Sequence, residues 1–294
     1  MPPFVAILAS RTGWHTDELT RALTARGARV SVFPYDALVA RLGTHARLGA
    51  HDADLLAADA VLARIIPNGS LEQIVYRVDA LHWIEDSGVL VMNPPRAIER
   101  TVDKFYTSAL LAGAGLATPD TIVCERADDA MAAFRTMGDV IVKPLCGSMG
   151  LGMVRVSDEE TAWRVFRALE AIHGVYYLQR AIAHEGRDVR VFVIGDRVIG
   201  AIERSAPGWR TNLARGGLAR SITLPPEWCS MALCAARAVG ASYAGVDLLP
   251  ARDGTVYVLE VNGIPGWRGL QAATALDVAG AISDHLLDVQ RGRG

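Results

Sequence analysis

The chain is predicted to fold as an α/β protein, on three observations. Residues 4–92 alternate short apolar runs with segments of helical periodicity, a βαβ rhythm that is typical of a small sheet covered by helices. Strand and helix patterns continue to alternate from residue 97 towards the C-terminus. Hydrophobic residues make up 51% of the 294 residues, which is enough to build a sizeable core.

The first predicted unit spans residues 1–95. Its strand candidates are residues 5–9, 30–34, 60–66 and 89–93, and its helices are residues 17–25 and 71–85. Asp17 is a suitable helix N-cap, and Gly27 and Gly88 follow the helix ends. No GxGxxG sequence follows the first strand, so the dinucleotide-binding fingerprint is missing.

The second unit, residues 96–185, opens with a helix at residues 97–114. It continues with strands at 121–124, 140–143, 154–156 and 176–182 and with helices at 128–137 and 162–172. The third unit, residues 186–294, begins with a hairpin of residues 188–194 and 197–203. The turn between them is Gly195-Asp196, a pair that favours a two-residue loop. A helix at 227–239, strands at 245–249 and 256–261 and a final helix at 274–289 follow.

Composition argues against several classes of protein. The net charge is -2, so a broad electrostatic surface for nucleic acid or anionic membrane is not expected. No apolar stretch reaches the ~18–20 residues of a spanning helix, and the N-terminus lacks the basic region of a signal peptide. The four cysteines form no CxxC pair and are predicted to be reduced thiols. We therefore expect a cytoplasmic protein, with the possibility of a homo-oligomer left open.

Two lysines occur among the 30 basic residues, which leaves 28 arginines. Lys143 ends the apolar run Val140-Ile-Val-Lys143, and Lys104 lies on the helix predicted after Asn93-Pro94-Pro95. Lysine carries a compact ammonium on a thin stem, which suits a nucleotide phosphate in a crowded pocket. The alternative is that a general preference for arginine has left two lysines by accident.

A glycine-rich loop directly follows Lys143. Gly147, Gly150 and Gly152 lie within it, and glycines let backbone N–H groups approach phosphates and let a loop move as a lid. The loop is not a Walker A sequence, because the lysine precedes the glycines. A plain turn is the alternative.

A second hairpin is predicted to bring acidic side chains together. If Asp253-Gly254 is a two-residue turn, Arg252 pairs with Thr255, Pro250 with Tyr257, and Asp247 lies opposite Glu260. Asn262 then lies on the same face, because side chains alternate with a period of two. Two carboxylates and an amide suit Mg²⁺. The alternative is a solvated polar face.

Several motifs together resemble the ATP-grasp ligases and, within them, the RimK-type glutamate ligases. The resemblance covers residues 95–290, in the order of the family, and its motifs are Arg100-Thr-Val-Asp-Lys104, Val140-Ile-Val-Lys143-Pro-Leu-Cys-Gly-Ser-Met-Gly-Leu-Gly-Met153, Tyr177-Leu-Gln-Arg180, Gly186-Arg-Asp-Val-Arg190, Ala201-Ile-Glu-Arg204, Trp209-Arg-Thr-Asn-Leu-Ala-Arg-Gly-Gly217, Ala244-Gly-Val-Asp247 and Leu259-Glu-Val-Asn262. The loop after Lys143, the stretch 210–217 and Pro265-Gly-Trp-Arg-Gly-Leu270 look most similar to ligases that add glutamate to tetrahydromethanopterin-type cofactors.

The resemblance implies an ATP-grasp fold with an N-terminal pre-ATP-grasp βαβ domain at residues 1–95. Residues 96–185 would be the N-terminal ATP-grasp subdomain with the glycine-rich lid, and residues 186–294 the C-terminal subdomain with the Mg²⁺ site. Asp247, Glu260 and Asn262 would carry Mg²⁺ or Mn²⁺, as two ions. Contacts with ATP are implied for Lys104, Lys143, Gly147, Ser148, Gly150, Gly152, Gln179, Arg180, Asp188, Arg210, Thr211 and Asn212. Among these, the stretch around Gln179-Arg180 would be the hinge between the two subdomains and touch adenine, and Asp188 would contact the nucleoside.

Four arginines would act on the reacting groups. Arg210 would approach the γ-phosphate, and Arg190, Arg204 and Arg215 would face the acyl phosphate or the carboxylate substrates, which arginine binds through two parallel hydrogen bonds. Each of the last three has a surface ion pair as its alternative. One departure from the family is visible, since the hinge reads Leu178-Gln179-Arg180 where many relatives have Gln-Glu-Tyr or Gln-Glu-Phe.

The implied activity is amide formation between a carboxylate acceptor and an amine, with ATP consumed to ADP through an acyl phosphate. The amine is predicted to be L-glutamate and the acceptor a cofactor acid of the tetrahydromethanopterin type. Trp267 is expected to stack on the acceptor and Arg268 to pair with its acid, unless Trp267 packs under the last helix. Alternative acceptors are a ribosomal-protein C-terminus and an amino-group carrier protein, and a non-catalytic ATP-binding regulator is a further alternative.

Overall fold

The computed structural model describes residues 1–147, 151–206 and 218–293. The elements of its first part are β1 (Phe4–Ala9), α1 (Trp14–Ala25), β2 (Arg29–Pro34), β3 (Leu38–Arg41), β4 (Arg47–Ala50), β5 (Ala53–Asp54), β6 (Ala60–Ala63), α2 (Leu71–Asp86) and β7 (Leu90–Met92). Four of these strands form a parallel sheet in the order β2-β1-β6-β7. Strands β3, β4 and β5 form a small antiparallel sheet. The predicted βαβ rhythm of this part is confirmed.

The second part contains α3 (Pro95–Val102), α4 (Lys104–Gly113), β8 (Thr121–Cys124), α5 (Ala127–Met137), β9 (Val140–Lys143), β10 (Val154–Val156), α6 (Glu159–Ala171) and β11 (Tyr176–Arg180). Its antiparallel sheet has the order β10-β9-β11-β8. Alternate residues of β9, Val140 and Val142, are buried against Phe134 and Phe166 of the two covering helices. The period-two pattern of β9 therefore places Ile141 and Lys143 on the other face of this sheet.

The single helix predicted at residues 97–114 is wrong. Asp103 has extended backbone angles between α3 and α4, and its carboxylate accepts a hydrogen bond of 3.1 Å from the Tyr106 N–H. Aspartate favours such an N-cap because its side chain satisfies a backbone donor of the first turn. Lys104 is consequently the first residue of α4.

The third part contains β12 (Arg187–Ile194), β13 (Arg197–Ser205), β14 (Leu218–Ser221), α7 (Pro226–Val239), β15 (Tyr243–Pro250), β16 (Val256–Asn262), α8 (Arg268–Thr274) and α9 (Val278–Arg291). The five strands form an antiparallel sheet in the order β14-β13-β12-β15-β16. The predicted Gly195-Asp196 turn is confirmed, because Ile194 pairs with Arg197. Gly195 has a φ of 54°, a conformation that glycine adopts at little cost.

Two features join the N-terminal sheet to the C-terminal part of the chain. Helix α9 packs Ile282 and Leu286 into one core cluster with Val5 and Leu19. Asn93, which is fully buried, accepts hydrogen bonds from the backbone of Ser242 (2.6 Å) and Tyr243 (3.1 Å) and donates to the carbonyl of Tyr243 at 2.8 Å. The domain boundaries at residues 95 and 185 stay a prediction. Over the described ranges, no helix has the length and apolar character that crossing a bilayer requires.

Candidate active site

The acidic hairpin has a wider turn than the sequence predicts. The Ala251 N–H donates to the Thr255 carbonyl at 2.8 Å, and Gly254 takes a φ of 88°. A three-residue loop that ends on a glycine of positive φ is a common hairpin connection. Pro250 therefore pairs with Val256. The predicted pairs Arg252–Thr255 and Pro250–Tyr257 are wrong.

A β-bulge then restores the predicted pairing at the acids. Leu248 pairs with Val258, but Asp247 pairs with Glu260 and Gly245 with Asn262, so Leu259 is the extra residue of β16. A bulge adds one residue to one strand and shifts the register beyond it. The Asp247–Glu260 pairing thus agrees with the prediction, although the turn that was meant to set it does not.

Asp247 lies at the centre of a buried ion-pair network. Arg190 donates to both its carboxylate oxygens, with Nε–Oδ1 and Nη2–Oδ2 both at 2.6 Å. Arg204 reaches Asp247 Oδ2 at 2.9 Å and also donates two bonds of 2.7 Å to Asp188. Burial by itself would raise the pKa of Asp247, but the charges of Arg190 and Arg204 outweigh it and hold that pKa below its usual range. The surface ion pair that was an alternative for Arg204 is wrong, because its side chain is only 4% exposed.

Glu260 is held more loosely than Asp247. Its side chain is 44% exposed, and Arg190 Nη2 approaches its Oε1 to 3.6 Å. Partial burial and the neighbouring charge of Asp247 raise the pKa of Glu260. Asn262, two residues further on, accepts a 3.0 Å hydrogen bond from the Ile264 N–H through its Oδ1. Arg190 therefore contacts both acids of the pair.

The donor set fits a hard divalent cation in its chemistry. Carboxylate and amide oxygens are the groups that Mg²⁺ and Mn²⁺ prefer. Within the part of the chain that the structure describes, no group of three or more His, Cys, Asp and Glu side chains could hold a metal ion. A cation here would depend on Asp247, Glu260, the amide of Asn262 and ligands from outside the protein.

Lys143, the last residue of β9, has a polar environment. Its Nζ donates to Gln179 Oε1 at 2.5 Å, and Gln179 Nε2 donates to Thr121 Oγ1 at 3.1 Å and to the Tyr177 hydroxyl at 3.2 Å. Burial lowers the pKa of Lys143 to about 8, with Glu260 acting in the opposite direction. At neutral pH the Lys143 side chain is therefore mostly charged, and the charge of Glu260 favours that form.

Lys104, the first residue of α4, contacts the loop that follows Lys143. Its Nζ donates to the Gly147 carbonyl at 2.8 Å, and its backbone N–H donates to the Leu145 carbonyl at 3.3 Å. Burial lowers its pKa, and the charge of Glu260 acts to raise it. Both lysines thus lie within the electrostatic reach of Glu260, and one of them contacts the glycine loop.

The glycine loop is described up to Gly147 and again from Leu151. Gly152 has a φ of 74°, and a Cβ atom on it would lie 3.3 Å from Pro144 Cγ, so this position suits glycine in both conformation and space. Ser148 and Gly150 lie outside the described residues, as do Arg210, Thr211, Asn212 and Arg215. Their implied roles stay predictions.

Arg180, the unusual hinge residue, is engaged by the protein itself. Its Nε donates to Asp120 Oδ2 at 2.9 Å, its Nη1 donates to the Met137 carbonyl at 3.2 Å, and its side chain is 41% exposed. Asp188, the implied nucleoside contact, is buried and holds Arg204. The adenine and nucleoside contacts stay predictions for both residues.

The expected stacking of Trp267 on an acceptor is wrong. Its side chain is 1% exposed and lies in the core cluster that includes α9. The rings of His15 and Phe192 contact it edge-on, with centroids 4.6 and 6.5 Å away. The apolar indole is more stable in this core than at an open surface.

Sequence reasoning missed some polar residues of this region. Tyr177 and Thr121 orient Gln179, and the Tyr177 hydroxyl lies 2.8 Å from Ser108 Oγ. Arg64 is buried directly after β6. A cation at the end of an apolar strand was the available signal for Arg64, and it parallels the signal that identified Lys143.

The arrangement is suited to binding and neutralising phosphate charge. It combines two lysines, a glycine loop, an oxygen-donor pair and arginines, which are carried by two antiparallel sheets, the loop and helix α4. Such groups act by positioning and by stabilising charge, and they need no protein nucleophile.

Comparison with known proteins agrees with this picture. Residues 101–286 match the RimK-like ATP-grasp domain. The chain is 31% identical over 289 residues to tetrahydromethanopterin:alpha-L-glutamate ligase of Methanococcus maripaludis, covering 97% of this chain and 98% of that protein. It is 34% identical over 260 residues to the protein of the same name from Methanosarcina acetivorans, covering 79% of this chain and 80% of that one.

A solved structure shows the same fold. The ATP-grasp ligase PsnB, complexed with minimal precursor, Mg and ADP, aligns with a TM-score of 0.75 and 23% identity over 98% of both chains. The fold and the matches together define an ATP-grasp ligase, an enzyme of the class implied by the sequence motifs. More narrowly, the chain belongs to the RimK-like ATP-grasp family. ATP and a divalent metal ion are the cofactors that this fold implies.

Proposed function

We propose that the protein joins L-glutamate through its amine to a small carboxylic acid, with ATP converted to ADP and phosphate. The observation that carries this proposal is that the charges of Lys104 and Lys143 both act on Glu260, which lies beside the Arg190–Asp247 pair. This constellation supplies what phosphoryl transfer to a carboxylate needs and contains no acyl-enzyme nucleophile. The full-length similarity to a glutamate ligase supports glutamate as the amine.

Lys143 and Lys104 bind the ATP phosphates in this proposal. Lys143 is held in place by Gln179, and the glycine loop, which Lys104 contacts at Gly147, covers the phosphates. The segment around Gln179 and Arg180 forms the adenine side of the site. Arg210, Thr211 and Asn212 approach the γ-phosphate, and Ser148, Gly150 and Gly152 belong to the lid.

Asp247, Glu260 and Asn262 hold Mg²⁺ or Mn²⁺, as two ions. When bound, the cations neutralise phosphate charge. Arg190 contributes to the charge balance of the site because it contacts the carboxylates of Asp247 and Glu260. Arg204 keeps Asp247 and Asp188 in place from a buried position, and Arg215 is assigned to the substrate carboxylates.

The chemistry has two steps. An oxygen of the acceptor carboxylate attacks the γ-phosphorus, the bond from that phosphorus to the β-bridging oxygen breaks, and ADP leaves. The glutamate amine then attacks the carbonyl carbon of the acyl phosphate, phosphate departs with the former carboxylate oxygen, and an amide remains. Overall one proton of the ammonium group is released to solvent at neutral pH. The side chains hold the reactants in line and screen their like charges.

A tetrahydromethanopterin-type pterin is the proposed acceptor. The similarity to the Methanococcus maripaludis ligase over nearly the whole of both chains supports this choice. A ribosomal-protein C-terminus and an amino-group carrier protein are the competing acceptors.

The test is a product screen with the purified protein, ATP, Mg²⁺ and L-glutamate. Separate reactions contain the reduced pterin, a glutamate-ended peptide or an amino-group carrier protein, and each is followed by ADP release and by mass spectrometry. We expect one glutamyl unit to be added to the pterin. A glutamyl unit on the peptide or the carrier instead would replace the acceptor, and tight ATP binding without any amide would indicate a regulator.

A further inference from the structure

Arg64 is a buried cation at the carboxyl end of the N-terminal sheet. It is the first residue after β6, and it is 4% exposed. Its Nη1 donates to the Tyr243 hydroxyl at 3.0 Å, and its Nη2 donates to the Pro265 carbonyl at 3.1 Å. Its guanidinium carbon lies 4.8 Å from the centroid of the Trp267 ring. All of these partners are neutral.

Arg64 forms no ion pair with any acidic side chain of residues 1–147, 151–206 and 218–293. The remaining residues of the chain include no Asp or Glu. Arg204, which is equally buried, is matched by Asp188 and Asp247. A buried charge costs free energy unless a counter-ion offsets it. An anion from outside the chain would therefore stabilise the charge of Arg64.

Arg268 adds a second positive charge nearby. It is exposed, and its guanidinium carbon lies 5.8 Å from the centroid of the Trp14 ring, which in turn packs against Trp267 and His15. Burial, then Arg64 and Arg268, lower the pKa of His15 to about 4. His15 is therefore neutral at physiological pH, and the positive charge around the two tryptophans comes from Arg64 and Arg268.

The topology of the sheet predicts a ligand crevice at the same edge. Strand β1 lies between β2 and β6. The next strand along the chain, β2, therefore pairs with one edge of β1, and the later strand β6 pairs with its other edge. In open parallel sheets, ligands bind outside the carboxyl ends of two such strands. Arg64 follows β6 directly, and the segment 10–13 that follows β1 leads into α1, which carries Trp14 and His15.

This crevice adjoins the proposed ATP site. Arg64 is bonded to the carbonyl of Pro265, and Pro265 packs against Gly245. A Cβ atom on Gly245 would lie 3.1 Å from Pro265 Cβ and 3.6 Å from Arg190 Nε. The Gly245–Pro265 contact thus links Arg64 to the arginine that holds Asp247.

We propose that Arg64 and Arg268 bind a carboxylate of one of the two organic substrates and so direct its reacting group towards Arg190. Each terminal nitrogen of an arginine carries two N–H groups, and one described hydrogen bond is made by each in Arg64. This assignment rests on the proposed ligase function, since it gives the crevice a substrate of that reaction. The carboxylate belongs either to L-glutamate or to the acceptor.

The test uses binding rather than turnover. Isothermal titration at saturating Mg²⁺ and a non-hydrolysable ATP analogue measures two probes, L-glutamate and N-acetyl-L-glutamate, whose blocked amine makes it an acceptor-type carboxylate. The variants are Arg64→Lys, which keeps a charge but loses the planar fork, and Arg268→Gln at the exposed position. Arg29→Gln is the matched control, because Arg29 is also stacked on an aromatic ring, that of Phe4 at 4.2 Å, but at the amino end of the sheet.

We expect the wild type to bind at least one probe and both crevice variants to bind that probe about tenfold more weakly, as for the loss of a charge-assisted hydrogen bond. Affinity for the ATP analogue should be unchanged in all proteins, and Arg29→Gln should bind as the wild type does. Weakened binding of L-glutamate assigns the crevice to the amine substrate, and weakened binding of the N-acetyl probe assigns it to the acceptor.

The inference is overturned if the wild type binds neither probe, or if Arg268→Gln and a folded Arg64→Lys bind them as the wild type does. Should Arg64→Lys fail to fold, the Arg268→Gln result decides. Failure of the proposed function has a different signature, because a non-catalytic protein would make no amide and could still bind the probes through these arginines.

Discussion

Arg190 binds both carboxylate oxygens of Asp247, with two parallel hydrogen bonds of 2.6 Å. A paired, desolvated carboxylate of this kind is a costly group to alter, because its removal leaves buried cations without a counter-ion. The proposed metal site therefore contains one acid that also maintains the fold and another, Glu260, that does not. The two acids should respond differently to mutation.

Asp247→Asn should lower the free energy of unfolding by about 3 kcal/mol, because Arg190 and Arg204 lose a shared buried partner. Urea unfolding measures the effect. Asp196→Asn is the control, since Asp196 pairs with Arg237 at a surface where the two side chains are 81% and 65% exposed, and it should change nothing measurable. Equal stability of the wild type and Asp247→Asn would show that the network is not needed by the fold.

Glu260→Gln should leave stability nearly unchanged and weaken Mn²⁺ binding by tenfold or more. Its side chain is 44% exposed with one cationic neighbour at 3.6 Å, whereas the loss of a charged oxygen removes a preferred ligand of a hard cation. Electron paramagnetic resonance of Mn²⁺ titrations gives the affinity. Glu203→Gln, on β13 of the same sheet, serves as the control, because Glu203 pairs with Arg220 and Arg187 instead. Unaltered Mn²⁺ affinity in Glu260→Gln would exclude Glu260 from the metal site.

Lys143→Met should abolish ATP turnover, by at least a hundredfold, while the protein stays folded. The flexible methionine fills the space of the lysine stem but offers no charge to the phosphates. ADP release and thermal unfolding are measured together. Full activity in a folded Lys143→Met protein would remove this residue from the phosphate site.

The affinity for ATP should fall as the pH rises above about 8. Burial lowers the pKa of Lys143 to about 8 in the free protein, and an adjacent phosphate favours the charged form and raises that pKa. Binding at pH 9 must therefore take up protons, whereas binding well below pH 8 need not, since the lysine is already charged. Titration calorimetry in buffers of different ionisation enthalpy measures the uptake.

Lys143→Arg supplies the comparison, because arginine stays charged throughout this pH range. This variant should show a smaller proton uptake at pH 9 than the wild type. Lys104, whose pKa is also lowered by burial, accounts for any remainder and is tested by Lys104→Arg. Equal uptake in wild type and both variants would contradict the assignment.

The sequence predicts most strands and helices well where local patterns decide them. The Gly195-Asp196 hairpin follows from turn chemistry, and the apolar run before Lys143 identifies β9. The break at Asp103 was missed because a helical pattern runs through it, whereas the extended backbone of Asp103 and its cap contact to Tyr106 separate two helices. Strands β3 to β5 are short, and their pairing depends on tertiary contacts rather than on a strong local pattern.

The pairing of the two acids was predicted correctly because two irregularities of the hairpin offset each other. The loop around Gly254 is one residue wider than predicted, and the bulge at Leu259 adds one residue to the other side, so Asp247 still meets Glu260. Neither irregularity has a distinctive sequence signal. The role of Trp267 was misjudged because its place near the metal strand says nothing about the aromatic cluster that buries it. Arg64 was missed because its partners Tyr243 and Pro265 are distant in sequence.

The most direct test of the proposed chemistry follows the oxygen atoms of the acceptor. The acid that turns over in the product screen is labelled with ¹⁸O in its carboxylate and is incubated with the protein, ATP, Mg²⁺ and L-glutamate. Activation through an acyl phosphate predicts that one labelled oxygen per amide formed appears in inorganic phosphate, as measured by mass spectrometry. Amide formation that releases phosphate without ¹⁸O would contradict the account.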